Sequence, residues 1–294
     1  MSTLPAVAAD RPGRPARVPI LPLFLPALWE FARQQALACV FPIAIFAALA
    51  ASRTLPLPAW LPRYDFLLLA CLAMQWGMVA GGLETKDELK VIGVFHALGL
   101  AMELFKTAAG SWAYPEFAYS KVAGAVPLYS GFMYASVASY LCQAWRRLDV
   151  HLEGEPPAVA SVPLAAAIYA NFFTHHLGVP DLRWALAGLV AFTFRGTRAH
   201  YCVSGRAYCM PLAVAFVLVG LFVYLAENLT TFFGAWEYPH QAGGWQPVHL
   251  AKIGSWSLLV ILSFILVAFL KQVKRTMPPA AGGAGKAQSR GERR

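Results

Sequence analysis

The segment ELFKTAAGSWAYP, residues 103–115, aligns without gaps on the segment ENLTTFFGAWEYP, residues 227–239. The two segments match at six of thirteen positions, and the shared residues are Glu, Thr, Gly, Trp, Tyr and Pro. These residue types rarely coincide by chance in a chain rich in leucine and alanine. The match therefore indicates an internal duplication with an offset of 124 residues.

Long apolar runs surround both segments. The chain has 294 residues, of which 58% are hydrophobic and 13% are charged, and its mean hydropathy is +0.52. A soluble domain carries roughly twice that share of charged residues. The composition indicates an integral membrane protein and excludes a large soluble catalytic domain such as a Rossmann sheet or a P-loop enzyme.

Eight apolar runs have about the length of a membrane span, which needs on the order of 20 residues. They lie near residues 36–52, 64–83, 89–109, 124–145, 159–178, 182–202, 209–229 and 253–271. The fold class that they predict is all-α, a polytopic membrane bundle of about eight transmembrane helices within residues 36–273. The sixth run is interrupted by Arg195, so either this arginine enters the bundle or the sixth helix is short.

The offset of the repeat carries the third run onto the seventh and therefore spans four helices. An even number of spans preserves direction across the membrane. We therefore expect two parallel four-helix halves, about residues 36–147 and 156–273, with both repeated segments on the outer side.

Basic residues predict the orientation. With the N-terminus inside, the inner segments hold 18 of the 24 lysines and arginines, so the positive-inside rule places both termini in the cytoplasm. Residues 1–35 are predicted to form a cytoplasmic tail with an interfacial helix, and residues 274–294 a disordered basic tail. The net charge of +9 is thus a topology signal, and we expect membrane lipid rather than nucleic acid as a partner.

Glu103 and Glu227 are the main candidate site residues. A carboxylate at the centre of a membrane helix costs roughly 2.5–3.5 kcal/mol and usually faces the bundle or water. Lys106 and Lys252 are the candidate ion-pair partners, and a structural clamp between glutamate and lysine is one explanation of these charges. A catalytic or solute-binding role for the two glutamates is the other.

Several further side chains are candidates for substrate binding. The aromatic residues of the repeat explain an interfacial aromatic belt equally well, and the polar residues lie on shared faces of the third, fifth and seventh helices. The set is Trp112, Tyr114, Trp236, Tyr238, His96, Thr107, Thr231, Asn171 and His175. Because no HxxxH or HExxH spacing occurs, we expect no metal site, and we expect no cofactor.

The run FFTHHLGVPDLRWALAGLVAFTFRGTRAHYCVSGRAYCMP, with the later segments GAWEYP and PVHLAKIGSW, resembles the YoaT-like family of bacterial integral membrane proteins. The resemblance covers roughly residues 30–273. It implies a multi-pass protein of the bacterial inner membrane. Because that family is one of unknown function, the resemblance implies no activity.

The repeated Glu with G-x-W-x-Y-P is also similar to the acidic and aromatic pattern of membrane carotenoid cyclases and carotenoid hydratases. In that chemistry a carboxylic acid protonates an alkene and aromatic faces stabilise the cation. This similarity implies catalytic roles for Glu103 and Glu227. The paired acids of the Pro-Glu-Glu motif in those cyclases are absent from this sequence.

Three functions remain open from the sequence. The protein binds or processes a lipophilic, isoprenoid-like molecule, or it is a small-solute or proton-coupled transporter, or it is a structural or assembly protein. A long apolar tunnel open to lipid would favour the first. A water path through both leaflets would favour the second, and a sealed bundle the third.

Overall fold

A computed structural model of the chain describes residues 24–276. The described part is mostly helical and contains nine α-helices and five short strands. The helices are α1 (Phe24–Ala38), α2 (Val40–Thr54), α3 (Arg63–Ala80), α4 (Lys86–Ala108), α5 (Ser130–Arg147), α6 (Ala158–Thr174), α7 (Arg183–Thr193), α8 (Leu212–Phe232) and α9 (Lys252–Thr276). The strands are β1 (Lys121–Val122), β2 (Val126–Pro127), β3 (His151–Glu153), β4 (Arg198–Val203) and β5 (Arg206–Pro211).

Each of the eight predicted apolar runs overlaps one of the helices α2–α9, and α1 covers the predicted interfacial helix. Within residues 24–276, α4 and α8 are long and apolar enough to cross a membrane. The pair α1 and α2, bent by 64° at a break between them, gives a third candidate if it forms a single span. These helices are compatible with a membrane protein. The predicted tail before residue 24 and the predicted basic tail from residue 277 lie outside the described residues.

Local sequence determines where α4 begins. The Thr85 hydroxyl accepts a hydrogen bond from the Glu88 amide at 3.2 Å, and the Glu88 carboxylate accepts one from the Thr85 amide at 2.9 Å. This reciprocal capping box satisfies two amides that the first turn of a helix leaves without partners. It places the start of α4 three residues before the predicted run.

Two helical hairpins form the centre of the molecule, α4 with α5 and α8 with α9. Each hairpin packs closely at a glycine on its first helix. A Cβ atom at Gly99 would lie 2.4 Å from the Tyr134 ring, and one at Gly220 would lie 2.2 Å from the Ser257 hydroxyl. Both glycines therefore allow helix contacts that a side chain would prevent.

The all-α prediction omitted the strands, and the predicted helix over residues 182–202 was wrong at its C-terminal half. The helix α7 has 11 residues and is followed by β4 and β5, which form an antiparallel sheet with β3 in the order β3-β4-β5. Tyr201 and Tyr208 are paired across β4 and β5 and stack with ring centroids 5.7 Å apart. Aromatic pairs of this kind stabilise a hairpin. Because α7 ends at Thr193, before Arg195, the sixth helix is short, as one of the two alternatives for this run stated.

Candidate functional site

The repeated segments end α4 and α8 in the same way. Gly110 and Gly234 have φ angles of +69° and +65°, which glycine adopts without strain. The amides of Ser111 and Ala235 then donate to carbonyls five residues earlier, at 2.9 and 3.0 Å. This is a Schellman cap, and it ends both helices at equivalent positions of the repeat.

After the caps, the two segments meet at Ala113 and Glu237. The amide of each residue donates to the carbonyl of the other, and both bonds are 2.9 Å long. The two residues are 124 positions apart, which is also the offset of the sequence repeat. An antiparallel bridge between equivalent positions places a local twofold axis between the two segments.

Glu103 lies beneath the first segment and is 5% exposed. Its Oε2 atom accepts hydrogen bonds from Trp112 Nε1 and the Tyr114 hydroxyl, both at 2.6 Å. Its Oε1 atom accepts one from the Tyr134 hydroxyl of α5, also at 2.6 Å. The turn at the end of α4 thus brings the tryptophan and the tyrosine of the repeat back over the glutamate of the same repeat.

Glu227 lies beneath the second segment and is 2% exposed. Its Oε1 atom accepts a hydrogen bond from the Tyr238 hydroxyl, and its Oε2 atom accepts one from Trp256 Nε1 of α9. The bond from tyrosine to glutamate therefore recurs in both segments. The tryptophan donor does not recur, because Trp256 rather than Trp236 donates to Glu227.

Rings surround the ammonium groups of the two lysines, and the ion pairs suggested by the sequence stay a prediction. Within the described part of the chain, the Lys252 ammonium lies over the rings of Trp112 and Tyr238, at 5.2 and 4.7 Å from their centroids. The Lys106 ammonium lies 2.7 Å from His176 Nε2. Tyrosine and tryptophan donors occupy the carboxylate oxygens, and the Lys252 ammonium adds an electrostatic attraction to Glu227 and Glu103.

A cavity of about 890 Å³ extends from this polar cluster. Glu103, Glu227 and the four aromatic residues of the repeat all line it, and almost all of its other lining is apolar. The helix α8 contributes lining residues from Leu212 to Thr230, a helical rise of about 27 Å. The cavity is therefore about as long as the hydrocarbon region of a membrane is thick.

Comparison with known proteins places the chain in a family. Residues 27–264 match the family described as protein of unknown function (DUF817). The chain belongs to the DUF817 family. It is 61% identical over 252 residues to the uncharacterized protein YoaT of Bacillus subtilis (strain 168), a match that covers 86% of this chain and 94% of that relative. The predicted YoaT-like resemblance is thereby confirmed.

No solved structure matches this DUF817 chain significantly. The similarity to carotenoid cyclases and hydratases stays a prediction, and so do the catalytic roles of Glu103 and Glu227. The geometry described above is consequently the main source of functional information.

Four of the other predicted site residues lie away from the cavity of this DUF817 protein. His96 packs against Phe132 with ring centroids 4.5 Å apart, and Asn171 accepts from the Leu182 amide at 3.0 Å near the start of α7. Thr231 donates to the Glu227 carbonyl at 3.0 Å, and the buried Thr107 hydroxyl has no hydrogen-bond partner among the described residues. His175 belongs to the short 3-10 helix His175–Leu177.

Sequence analysis missed the contribution of Arg63. Its side chain is 9% exposed and donates to the Phe233 and Gly234 carbonyls, at 2.5 and 2.9 Å, where α8 ends. It also donates to the Ser52 hydroxyl at 2.8 Å and to the Glu116 carboxylate at 2.7 Å. Arg63 thus ties α2 and α3 to the second repeated segment.

A second buried polar cluster was also missed, at the opposite end of α4. Glu84 is 2% exposed and accepts hydrogen bonds from Gln75 Nε2 and the Ser139 hydroxyl. Burial raises the pKa of the Glu84 carboxyl above its usual range, although the two hydrogen bonds oppose this shift. This cluster does not line the cavity.

Metal binding has little support in the described residues. Within residues 24–276, no group of three or more His, Cys, Asp or Glu side chains lies close enough together to hold a metal ion. The buried acids are surrounded by hydroxyl and indole donors, which satisfy carboxylate oxygens without a metal.

Proposed function

We propose that this protein binds a long lipophilic molecule, of isoprenoid-like character, in the cavity between its helices. The observation that carries the proposal is the single cavity that joins an almost wholly apolar tunnel to Glu103 and Glu227. Binding sites for small molecules are typically about 300–1,000 Å³, mostly apolar, with a few polar groups that orient the ligand. The observed cavity has this combination of size and lining.

The position of the polar groups supports an orientation. Glu103, Glu227 and the aromatic residues of the repeat lie at one end of the cavity, whereas Leu28 and Phe31 of α1 line another part of it. A ligand with one polar terminus would place that terminus at the two glutamates. Its apolar chain would then extend along α8.

Exposed residues of the lining support entry from the membrane. Phe222 and Leu225 of α8 line the cavity and are also 69% and 53% exposed. An opening bordered by such side chains is suited to contact with lipid chains rather than with water. This favours a lipophilic ligand over the small hydrophilic solute of a transporter, since the tunnel offers few hydrogen-bond partners to a polar solute.

A structural or assembly role is the second candidate. The bridge between Ala113 and Glu237 joins the two repeated segments, and the hydrogen bonds from Trp112 to Glu103 and from Tyr238 to Glu227 stabilise the turn within each segment. A sealed bundle without a cavity would be expected for a purely structural role. The cavity and its exposed border therefore support ligand binding as the first candidate.

The membrane arrangement belongs to the same proposal. We infer eight transmembrane helices in two parallel halves in the bacterial inner membrane, with both termini in the cytoplasm. The local twofold relation at Ala113 and Glu237 supports this arrangement, because two parallel halves are related by an axis along the membrane normal. In this arrangement both repeated segments would lie on one side of the membrane.

Copurified lipid tests the proposed function. Val219→Phe would add a ring to the cavity lining, whereas Val217→Phe would change a residue of the same helix that is 59% exposed and does not line the cavity. Protein purified in detergent would be extracted with organic solvent and analysed by mass spectrometry. We expect a defined lipophilic species in stoichiometric amount with the wild type and Val217→Phe, and much less with Val219→Phe. Equal amounts in both variants, or only bulk phospholipid, would contradict the proposal.

A further inference from the structure

The two glutamates differ in how many hydrogen bonds they already accept. An ionised carboxylate has about four acceptor positions. Glu103 accepts three bonds from protein donors, and Glu227 accepts two. Glu227 therefore retains more acceptor capacity, and it lines the cavity.

The side-chain donors that line this end of the cavity are already engaged. Five of them point an N–H or O–H group at a glutamate oxygen, namely Trp112, Tyr114, Tyr134, Tyr238 and Trp256, and the Trp236 indole interacts with the Tyr238 hydroxyl. Lys252, whose ammonium lies over the Trp112 and Tyr238 rings, does not line the cavity. What remains available to a ligand is the capacity to accept a hydrogen bond. A ligand terminus that only accepts hydrogen bonds, such as a carboxylate or a phosphate, would face a glutamate oxygen that is also an acceptor, and no hydrogen bond would form.

We propose that Glu227 binds the hydroxyl terminus of a long-chain alcohol whose apolar chain occupies the cavity. A hydroxyl donates one hydrogen bond and so complements an acceptor. It is also uncharged, and moving it from water into an apolar tunnel costs much less than moving an ammonium group. This inference rests on the proposed function and narrows the ligand from lipophilic molecules in general to those with a donor terminus.

Glu84 provides a matched control for Glu227. Both side chains are 2% exposed, and each accepts hydrogen bonds from two side-chain donors. Of these two glutamates, Glu227 lines the cavity and Glu84 does not. The substitutions Glu227→Gln and Glu84→Gln therefore make the same chemical change at two buried sites, one of which touches the proposed ligand.

The test measures competition for the purified full-length protein in a scintillation proximity assay. The labelled probe is tritiated geranylgeraniol, and the competitors are unlabelled geranylgeraniol, the corresponding carboxylic acid and the hydrocarbon of the same chain. For the wild type and Glu84→Gln, we expect the alcohol to compete about tenfold to a hundredfold better than the hydrocarbon, since it adds one hydrogen bond to a buried carboxyl acceptor. We also expect it to compete better than the acid. For Glu227→Gln, the preference for alcohol over hydrocarbon should fall to about threefold or less.

The possible outcomes separate the two proposals. Saturable binding in which the acid competes as well as the alcohol, or in which Glu227→Gln keeps the full preference, would overturn the hydroxyl assignment and leave the cavity as a lipid site. The absence of saturable, displaceable binding in the wild type would overturn the proposed function and the assignment with it. If Glu227→Gln does not fold, the competitor series on the wild type still decides, because it needs no variant.

Discussion

The first repeated segment, residues 103–115, and the second, residues 227–239, share a helix cap and a bond from tyrosine to glutamate, yet their surroundings differ. Glu103 accepts hydrogen bonds from the two aromatic side chains of its own segment and from Tyr134 of α5. Most of the hydrogen bonds to Glu103 therefore come from within the first segment. In the second, Arg53 and Arg63 donate to carbonyls at the end of α8. The shared residues thus determine the shape of the turn, and the differing neighbours determine what each turn does.

Labelling of introduced cysteines gives the largest expected effect, because it is all or none. Tyr119→Cys and Ala242→Cys lie in exposed loops after the two segments, and Glu153→Cys lies in exposed β3. In a background without the exposed Cys209, an impermeant thiol reagent added outside intact cells should label the first two and leave the third unlabelled. Labelling of only one of Tyr119→Cys and Ala242→Cys would contradict the parallel arrangement of the two segments.

The stability of the second segment should depend on Arg63. Arg63→Met removes four side-chain hydrogen bonds and leaves two helix-end carbonyls with fewer partners, which we expect to lower the free energy of unfolding by about 3–5 kcal/mol. Arg53→Met is the control, because Arg53 is exposed and donates one such bond, to Phe233. Thermal unfolding in detergent measures both. A loss for Arg53→Met equal to that for Arg63→Met would contradict the assigned role.

The two glutamates should differ in their contribution to stability. Glu103→Gln disturbs three buried donors and Glu227→Gln disturbs two, and each donor left without a partner costs about 1–3 kcal/mol. We therefore expect the melting temperature to fall further for Glu103→Gln. A larger fall for Glu227→Gln would mean that Glu227 is the structural residue of the pair and would reverse the comparison.

Substitution of the two cap glycines, Gly110 and Gly234, is expected to have the smallest effect on stability. Alanine at either position would adopt a left-handed conformation at a cost of about 1–2 kcal/mol, but only at Gly234 would its Cβ meet a neighbour, Arg53 Nη2 at 1.8 Å. Gly234→Ala should therefore be more destabilising than Gly110→Ala. In an Arg53→Met background this excess should disappear, and an undiminished excess in the double variant would contradict the explanation by steric contact.

The sequence predicted the helices well where the determinants are local. Gly110 and Gly234 mark helix ends because a single residue determines the cap, and the aromatic residues of the repeat were identified as one group. Tyr134 and Trp256 were missed because they reach the glutamates from other helices, 31 and 29 residues away along the chain. Their hydrogen bonds depend on the packing of α5 and α9, to which no local pattern corresponds.

The strands and the buried arginine were missed for a related reason. The stretch from Arg198 to Val203 is apolar enough to extend a helix in a hydropathy profile, but it pairs with Arg206–Pro211 across a turn at Ser204 and Gly205. In the sequence, Arg63 is one charge in the loop between the first two predicted spans. Its burial follows from carbonyls that lie 170 and 171 residues further along the chain.

This separation along the chain has a consequence for biosynthesis. The ribosome completes α3 long before α8 is made, so a nascent chain carries Arg63 without its carbonyl partners Phe233 and Gly234. Until the second segment arrives, water or other polar groups must solvate the guanidinium group. The hydrogen bonds from α3 to the end of α8 therefore form only after α8 is made, and a chain truncated before residue 233 would lack them.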